Sequence, residues 1–412
     1  MRARSAPAFV LCLLFSLVGF AGLAPGQTGH QIASFTKVTS VSPLPNGIEL
    51  RDESLVMQIT ALRNTVLRIR AGRDGKLPED ASWAVLPEAR SASVAVAQDS
   101  NASVAGFHTP ALHVVVDRAT GLLTLRDANG IVVRQDTAPL TFEKDGFDLS
   151  ATMPADEHYF GLGDKTGSFD RRKQAFRLWN TDAYAWQEST DPLYKSIPFY
   201  LSYRAGTSLG VLIDNTWPSS FDFGKSLDDT FQYRAEGGEP DMYLLYGPSA
   251  KEVLADYAWL TGPTPLPPLW ALGFQQLRYS YGTQARVLEV ASRLRADRIP
   301  ADAVYLDIDY QFKNRPFTID TTKFPDLPGM VRTLHQEKFH IVAITDLHIP
   351  SLPGQGYVPF DSGTIGDHFV KNPDCTPFVG PVWPGPSVFP DFTRQQTRAW
   401  WGPLQAVYER WT

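Results

Sequence analysis

A short proline-rich segment divides this sequence into two parts with different hydrophobic patterns. Residues 262–268 contain four prolines and one glycine, and this composition interrupts both helices and strands. Before the segment, apolar residues alternate with a period of two. After it, short apolar runs are separated by stretches with helical spacing. Because 412 residues are enough for two or three domains, we place a domain boundary here.

The first part is predicted to form a β-sandwich domain over residues 30–262. Its short alternating runs, such as residues 111–117, are joined by glycine-containing turns such as Asn129-Gly130. This pattern is typical of antiparallel strands in two packed sheets. Near the boundary, Ser249 and Glu252 have the spacing of a capping box, which predicts that a helix closes the domain.

The second part, residues 263–412, is predicted to contain the β/α units of an incomplete barrel. Apolar runs at 271–274, 303–306 and 340–345 are separated by helical stripes. Strand, helix and strand at this spacing indicate a parallel sheet. Residues 347–392 are rich in glycine and proline. We interpret them as an insertion after the third strand, and long loops of this kind are usually functional.

Residues 1–26 have the features of a secretory signal peptide. Two arginines are the only charged residues there, an apolar core follows at 8–18, and small residues at 21–26 suit cleavage. We therefore predict an exported bacterial protein, periplasmic or secreted. The alternative is an uncleaved membrane anchor. Cleavage would leave Cys375 as the single cysteine, which excludes an intrachain disulfide.

The composition also restricts the partners that the protein can bind. A formal net charge of −6 disfavours nucleic acids and anionic membranes, and no apolar stretch after the leader is long enough to span a bilayer. Ten tryptophans suit a sugar-binding protein, although they suit a tryptophan-rich core equally well. His335, His340 and His348 lack the spacing of metal ligands, so we predict neither a metal nor a cofactor.

The run Leu306-Asp307-Ile308-Asp309-Tyr310 places two carboxylates directly after a buried apolar strand. Alternation along a continued strand would point Asp307 and Asp309 to one side and Ile308 to the other. Such acids are costly unless something satisfies them, so they usually mark a site, and ligands bind at this end of barrel strands. The alternative for Asp307 is a capped strand end. Asp309 is interpreted as a supporting residue or an ion-pair partner of Arg315.

Several segments together resemble glycoside hydrolase family 31, the α-glucosidase and α-xylosidase family. In the first part they are Tyr159-Phe160-Gly161-Leu162-Gly163-Asp164-Lys165-Thr166-Gly167, Leu178-Trp179-Asn180-Thr181-Asp182 and Asp191-Pro192-Leu193-Tyr194-Lys195-Ser196-Ile197-Pro198-Phe199. In the second part they are Leu306-Asp307-Ile308-Asp309-Tyr310, Val382-Trp383-Pro384-Gly385 and Phe389-Pro390-Asp391-Phe392-Thr393. The resemblance covers residues 40–412 and implies a galactose-mutarotase-like β-sandwich followed by the first part of a (β/α)8 TIM barrel. The implied activity is retaining hydrolysis of terminal α-linked glucose from oligosaccharides, without a cofactor.

The resemblance also implies a pocket for the terminal sugar. The residues that it assigns to this pocket are Asp182, Asp307, Ile308, Ile344, Asp346 and Trp383. The three aspartates would accept hydrogen bonds from sugar hydroxyls, the two isoleucines would pack against the ring, and the tryptophan would stack on it. Asp182 would reach the sugar or the leaving group from a loop of the sandwich. The family commonly has proline directly after Asp346, whereas this sequence has Leu347.

Retaining hydrolysis needs a nucleophile and an acid/base whose carboxyl groups lie about 5–5.5 Å apart. In the family the nucleophile belongs to a Trp-x-Asp-Met-Asn-Glu motif at the fourth barrel strand, and residues 1–412 contain no such motif. We therefore expect both catalytic carboxylates beyond Thr412, and we predict that the 412-residue chain alone is inactive and prone to aggregate. The alternatives are a non-catalytic carbohydrate-binding protein, or an α-xylosidase or transglucosidase of the same family.

Overall fold

The computed structural model describes residues 32–409 and divides into two compact units. The described part of the first unit ends at Thr264, and the second unit begins at Pro265. The predicted leader, residues 1–26, lies outside the described residues. Within residues 32–409, no helix combines the length and the apolar character that a membrane crossing requires.

The described part of the first unit contains eighteen strands and two α-helices. In chain order the strands β1 to β18 are Ala33–Ser34, Ser40–Leu44, Gly47–Asp52, Leu55–Arg63, Val66–Gly72, Ala97–Gln98, Val104–His108, Leu112–Asp117, Leu123–Asp127, Val132–Glu143, Gly146–Thr152, His158–Gly163, Ala175–Leu178, Ser196–Arg204, Thr207–Ile213, Ser219–Phe223, Thr230–Ala235 and Asp241–Gly247. The helices are α1 (Pro87–Arg90) and α2 (Ala250–Thr261).

These strands form two antiparallel sheets that share one core. The first sheet has the order β13-β16-β17-β11-β10-β9-β8-β7-β6, with β1 beside β10, and the second has the order β12-β14-β15-β18-β5-β4-β3-β2. Ile59 and Val211 of the second sheet lie in the same buried cluster as Phe147 and Phe231 of the first. The unit is therefore the β-sandwich that the alternating sequence pattern predicts.

Helix α2 covers the outer face of the second sheet and starts where the capping box predicts. The backbone NH of Ser249 donates to the Glu252 carboxylate over 2.9 Å, which satisfies a donor that the helix itself leaves free. Val253 and Leu260 are fully buried in a cluster with Leu212 of β15. Strand β15 is consequently buried along its whole length, because the sandwich core covers one of its faces and α2 the other.

One sheet of the second unit consists of three parallel strands. They are β19 (Gln275–Gln276), β20 (Ala303–Leu306) and β21 (His340–Ala343), paired in that order, with α3 (Gln284–Ala296) and α4 (Leu327–Gln336) in the two connections. Asp326 caps the N-terminus of helix α4, because its carboxylate accepts a 2.9 Å bond from the Gly329 NH. Val304, Met330 and Leu334 lie in the buried cluster that joins the sheet to its helices.

The prediction of a strand at residues 271–274 is wrong. Leu269–Leu272 form a 3-10 turn instead, in which the Ala271 NH donates to the Pro268 carbonyl over 3.0 Å. The strand itself is β19, which follows the turn. A run of four apolar residues is too short to distinguish a strand from a helical turn. Here the turn follows directly after the prolines of the linker.

The predicted insertion, residues 347–392, has secondary structure and a small core of its own. It contains β22 (Ile349–Pro350), α5 (Val358–Ile365), β23 (Gly380–Val382) and β24 (Gly385–Val388), with the strands antiparallel in the order β22-β24-β23. Ile349, Tyr357 and Phe369 are buried together, and Trp400 and Trp401 pack against them. The tryptophans belong to α6 (Gln395–Leu404), which is followed by α7 (Ala406–Glu409). Pro403 lies in the last turn of α6, just before the break between these helices, and proline disfavours continuation of a helix.

Candidate sugar-binding site

The candidate site lies where two neighbouring parallel strands end. Leu306 is the last residue of β20 and pairs with Ala343, the last residue of β21. The NH of Ile344 continues the ladder with a 2.9 Å bond to the Leu306 carbonyl. Asp307 and Ile344 therefore leave adjacent strands at the same edge of the sheet, which is the edge where barrel proteins bind their ligands.

Asp307 does not continue strand β20. It precedes a 3-10 turn, Ile308–Tyr310, and its Oδ1 accepts a 2.7 Å bond from the Ile308 NH. The prediction that Asp307 and Asp309 alternate along one strand is therefore wrong, because the aspartate side chain stabilises a turn at its own C-terminal side. The carboxylate stays partly exposed, while Ile308 is buried.

Asp309 points to a different part of the unit. Its Oδ2 accepts a 3.1 Å bond from the backbone NH of Gly282, in the segment between β19 and α3. Arg315, the predicted ion-pair partner, donates to the side chain of Gln355 over 3.4 Å. These contacts agree with a supporting role for Asp309 within the protein.

Tyr310 connects the turn after β20 to the end of β21. Its ring is fully buried, and its hydroxyl donates a 3.0 Å bond to the Ile344 carbonyl. Burial raises the pKa of Tyr310, so the phenol keeps its proton and remains a donor. Gln311, also buried, donates to the same carbonyl over 3.3 Å. The sequence showed Tyr310 inside the motif but not its partner, 34 residues away.

Asp346 lies beside a buried histidine that the sequence reading did not include in the site. The Nε2 of His348 is 3.8 Å from Oδ2 of Asp346, and the His348 side chain is 7% exposed. Burial lowers the pKa of His348, and the Asp346 charge only partly opposes this shift. His348 is therefore neutral at pH 7, and Asp346 keeps its partly exposed carboxylate without a cationic partner there. The one available signal was the local departure from the family pattern at residues 346–348.

Trp383 lies at the tip of a hairpin in the insertion. Val382 pairs with Gly385, so Trp383 and Pro384 form a two-residue turn between β23 and β24. Gly385 has φ of +102°, a backbone conformation that side chains with a Cβ rarely adopt. Trp383 is 70% exposed. This exposure disagrees with a place for Trp383 in a tryptophan-rich core and leaves an aromatic face free for stacking.

Asp182 belongs to the first unit, where it is exposed on the loop between β13 and β14. Asp191 holds the base of this loop, because its carboxylate accepts bonds from the Lys165 ammonium over 2.7 Å and from the Arg177 NH over 2.5 Å. The Thr181 NH donates to the Leu193 carbonyl over 3.0 Å. The residue next to Asp182 is therefore fixed by the backbone of the same loop.

Two family descriptions match the chain in the order of its two units. "Glycosyl hydrolase 31 N-terminal galactose mutarotase-like domain" matches residues 56–222, and "Glycosyl hydrolases family 31 TIM-barrel domain" matches residues 264–410. Fold and matches together define the architectural class of glycoside hydrolase family 31, a mutarotase-like β-sandwich followed by part of a TIM barrel. The fold class predicted from the sequence is confirmed.

Similar proteins lead to the same class. Alpha-glucosidase 2 of Bacillus thermoamyloliquefaciens is 36% identical over 359 residues, which are 86% of this chain and 45% of that protein. An alpha-glucosidase of Saccharolobus solfataricus is 34% identical over 256 residues, which are 62% of this chain and 36% of that protein. A solved Flavobacterium johnsoniae dextranase of the same family, complexed with isomaltotriose, superimposes with a TM-score of 0.85 at 28% identity and covers 92% of this chain and 47% of its own.

The chain belongs to glycoside hydrolase family 31, as its motifs predict. It spans about half or less of the length of the relatives that it matches.

Proposed function

We propose that this protein acts as a retaining exo-glycosidase that removes terminal α-linked glucose from oligosaccharides, and that its second unit supplies part of the sugar pocket. The observation that carries the proposal is the position of Asp307, a partly exposed carboxylate directly after a buried parallel strand. The relatives support the substrate class, since two are named alpha-glucosidases and the dextranase was solved with isomaltotriose.

In this proposal Asp307 holds the sugar by its hydroxyls. An ionised carboxylate has about four acceptor positions, and the bond from the Ile308 NH to Oδ1 uses one of them while it restricts the rotation of the group. The remaining positions can accept hydrogen bonds from two neighbouring hydroxyls. Hydrogen bonds to a charged acceptor are stronger and more directional than neutral ones, so they orient the ring as well as retain it.

The other predicted residues complete the proposed pocket. Asp346 is a second hydroxyl acceptor, and the neutral state of the neighbouring His348 leaves its charge available. Ile344, which is partly exposed, supplies apolar surface, and Trp383 supplies an exposed aromatic face on which the apolar side of a sugar ring can stack. Ile308 is buried and stays in the proposal through the family resemblance alone. Asp182 is included in the proposed pocket because its loop resembles the corresponding loop of the family.

We assign neither the nucleophile nor the acid/base within residues 1–412. Asp307 and Asp309 follow one another in a single turn, and each accepts a bond from a backbone NH. The chemistry instead needs two carboxyl groups that face each other across the scissile bond. Asp307 is therefore a binding residue in this proposal, and Asp309 is a residue that supports the fold.

We also propose export after removal of residues 1–26, with the sandwich domain at 30–262 and the barrel part at 263–412. The support is the order of charged, apolar and small residues in the leader. Expression in a bacterial host followed by sequencing of the mature N-terminus tests this proposal. A new N-terminus near residues 24–27 is expected, and an intact Met1 in the exported fraction would contradict it.

The binding proposal is tested by titrating isomaltotriose into the 412-residue protein and into Asp307→Asn. Asparagine keeps the size of the side chain but loses the charge, so affinity should fall at least about tenfold, the equivalent of 1.4 kcal/mol. Asp374→Asn is the matched control, because Asp374 is a turn carboxylate of the same unit that bonds to Thr376. Equal affinity of the wild type and Asp307→Asn would show that Asp307 is structural.

A second candidate is a non-catalytic carbohydrate-binding protein. It is supported by the proposed sugar-binding residues Asp307, Asp346 and Trp383, whose exposed or partly exposed side chains could hold a sugar without catalytic carboxylates. Incubation of the same protein with aryl α-glucosides and aryl α-xylosides tests the binding-protein hypothesis directly. Turnover would contradict the binding protein and would also overturn our prediction that the 412-residue chain alone is inactive. The preferred glycoside would distinguish the α-glucosidase from the α-xylosidase reading.

A further inference from the structure

Three side chains that commonly bind metals come together at one end of the first sheet. They are Asp99, His108 and His113, and one ligand atom of each lies within 4.8 Å of the others. His108 is the last residue of β7, His113 is the second residue of β8, and Asp99 directly follows β6. The cluster therefore brings together three successive segments at the edge of the sheet.

The hairpin between β7 and β8 sets the spacing of the two histidines. His108 and His113 are directly paired across the strands, so both side chains point to the same face. Their rings stack with centroids 5.0 Å apart and planes inclined by 24°. The buried Thr109 anchors the turn, since its hydroxyl donates to the Asn64 carbonyl over 2.7 Å and accepts from the Leu112 NH over 3.0 Å. The imidazole pair is thus preorganised by the backbone.

Asp99 adds a negative charge to this pair. Its Oδ2 is 2.7 Å from Nδ1 of His108, and its backbone NH is fixed by a 3.0 Å bond to the Gly106 carbonyl. The side chains of His108 and Asp99 are 39% and 40% exposed, so a dissolved ion can reach them. A positive charge also lies beside the cluster, on Arg126, which pairs with His113 across β8 and β9, but its guanidinium donates to the Gly130 carbonyl over 3.0 Å.

We propose that Asp99, His108 and His113 bind one divalent transition-metal ion, with zinc as the representative of the class. Two imidazole nitrogens and one carboxylate oxygen suit borderline ions such as Zn²⁺ or Ni²⁺ and suit Mg²⁺ and Ca²⁺ poorly. Metal–ligand bonds of about 2.0–2.1 Å place ligand atoms roughly 3.4 Å apart. Small side-chain rotations bring the three ligand atoms to that spacing, which is wider than the present 2.7 Å between Asp99 and His108 and within the 4.8 Å that the cluster spans. The ion takes the place of the hydrogen between Asp99 and His108, and the imidazole then carries its hydrogen on the other nitrogen.

The consequence of such a site is mechanical. An ion bound to all three residues cross-links β6, β7 and β8, which form the end of the first sheet. Two-residue β6 (Ala97–Gln98) is the outermost strand, so the cross-link stabilises the part of the sheet with the fewest neighbours. The site belongs to the sandwich and is independent of whether the proposed glycosidase function is correct.

Calorimetric titration of the 412-residue protein with zinc, in a buffer that does not chelate metals, tests the proposal. One equivalent should bind, and His113→Ala should weaken binding at least about tenfold because the site loses one of its two imidazoles. His158→Ala is the matched control. His158 forms an equivalent Nδ1–Oδ2 contact of 2.7 Å with Asp170, but this pair is outside the three-ligand cluster, so the control should bind zinc like the wild type.

Two further measurements make the outcome decisive. Excess magnesium should not displace the zinc, and zinc should raise the melting temperature of the wild type and of His158→Ala but not of His113→Ala. Circular dichroism checks that each variant is folded. The proposal is overturned if the wild type binds no zinc at sub-millimolar concentrations, or if His113→Ala binds it as tightly as the wild type. Loss of binding in His158→Ala would equally contradict the assignment.

Discussion

The bond network around the Ile344 carbonyl makes a quantitative prediction about the candidate site. This carbonyl accepts from the Tyr310 hydroxyl over 3.0 Å and from the Gln311 amide over 3.3 Å. Both donors are buried, and they hold the end of β21 against the turn that carries Asp307. Tyr310→Phe keeps the ring and its packing but removes one of the two donors.

Each single substitution leaves the carbonyl with one partner. Tyr310→Phe and Gln311→Ala should therefore each cost about 0.5–1.5 kcal/mol for the lost bond, with Gln311→Ala nearer the upper value because it also removes buried atoms. The double variant leaves this partly buried carbonyl without either side-chain donor, which costs a further ~1 kcal/mol. We thus expect the two changes together to cost about 1 kcal/mol more than their sum.

Urea unfolding followed by tryptophan fluorescence measures these differences, because Trp400 and Trp401 pack in the same unit. Tyr279→Phe is the control for hydroxyl removal, since Tyr279 is 72% exposed and its loss should change stability by less than about 0.5 kcal/mol. Strictly additive costs in the double variant would refute the shared-carbonyl argument. A control as destabilising as Tyr310→Phe would do the same.

Three further predictions follow from single contacts. Asp256→Ala should destabilise the sandwich by about 1–3 kcal/mol in thermal unfolding, because this side chain of α2 accepts bonds from Arg63 over 3.0 Å and from the Thr65 hydroxyl over 2.6 Å; an unchanged melting temperature would contradict it. The pKa of His348 is lowered in the folded state, so the unfolded chain takes up the proton first and stability should fall as the pH drops below about 6.5. His348→Leu should remove part of that fall in urea midpoints measured from about pH 7 to 5, and identical pH profiles would disprove the linkage. Trp383→Ala should leave stability within about 0.5 kcal/mol yet weaken isomaltotriose binding several-fold, roughly 1 kcal/mol for a lost stacking face; unchanged affinity would remove Trp383 from the pocket.

Much of the fold could be predicted because its signals are local. The Ser249 cap and the Asp326 cap each involve residues three positions apart, so the starts of α2 and α4 are readable from short stretches of sequence. Strand β20 is the hydrophobic run Ala303–Leu306, and it was predicted with the observed bounds. The prediction of a strand at 271–274 was wrong because the signal was too short, since four apolar residues fit a 3-10 turn as well as a strand.

The candidate site was predictable in its residue types and less so in its geometry. The family motif identified Asp307 and its neighbours, but the backbone turns at Ile308, and this turn separates Asp307 from Asp309. The partners of the motif come from distant positions, with Gly282 bonded to Asp309 and Ile344 bonded to Tyr310. No local pattern encodes such pairs, because they depend on which segments the fold brings side by side.

The sequence by itself determined the two-part organisation, the family and the residue types at the end of β20, because periodicity, proline placement and motifs are properties of neighbouring residues. Only the tertiary structure decided where those side chains point and what satisfies them. It also placed Asp99 beside His108 and His113, although histidine spacing along the chain indicated no metal site. Hydrogen bonds and ligand clusters form between atoms within a few ångströms of each other, and the distance along the chain does not fix the distance in space.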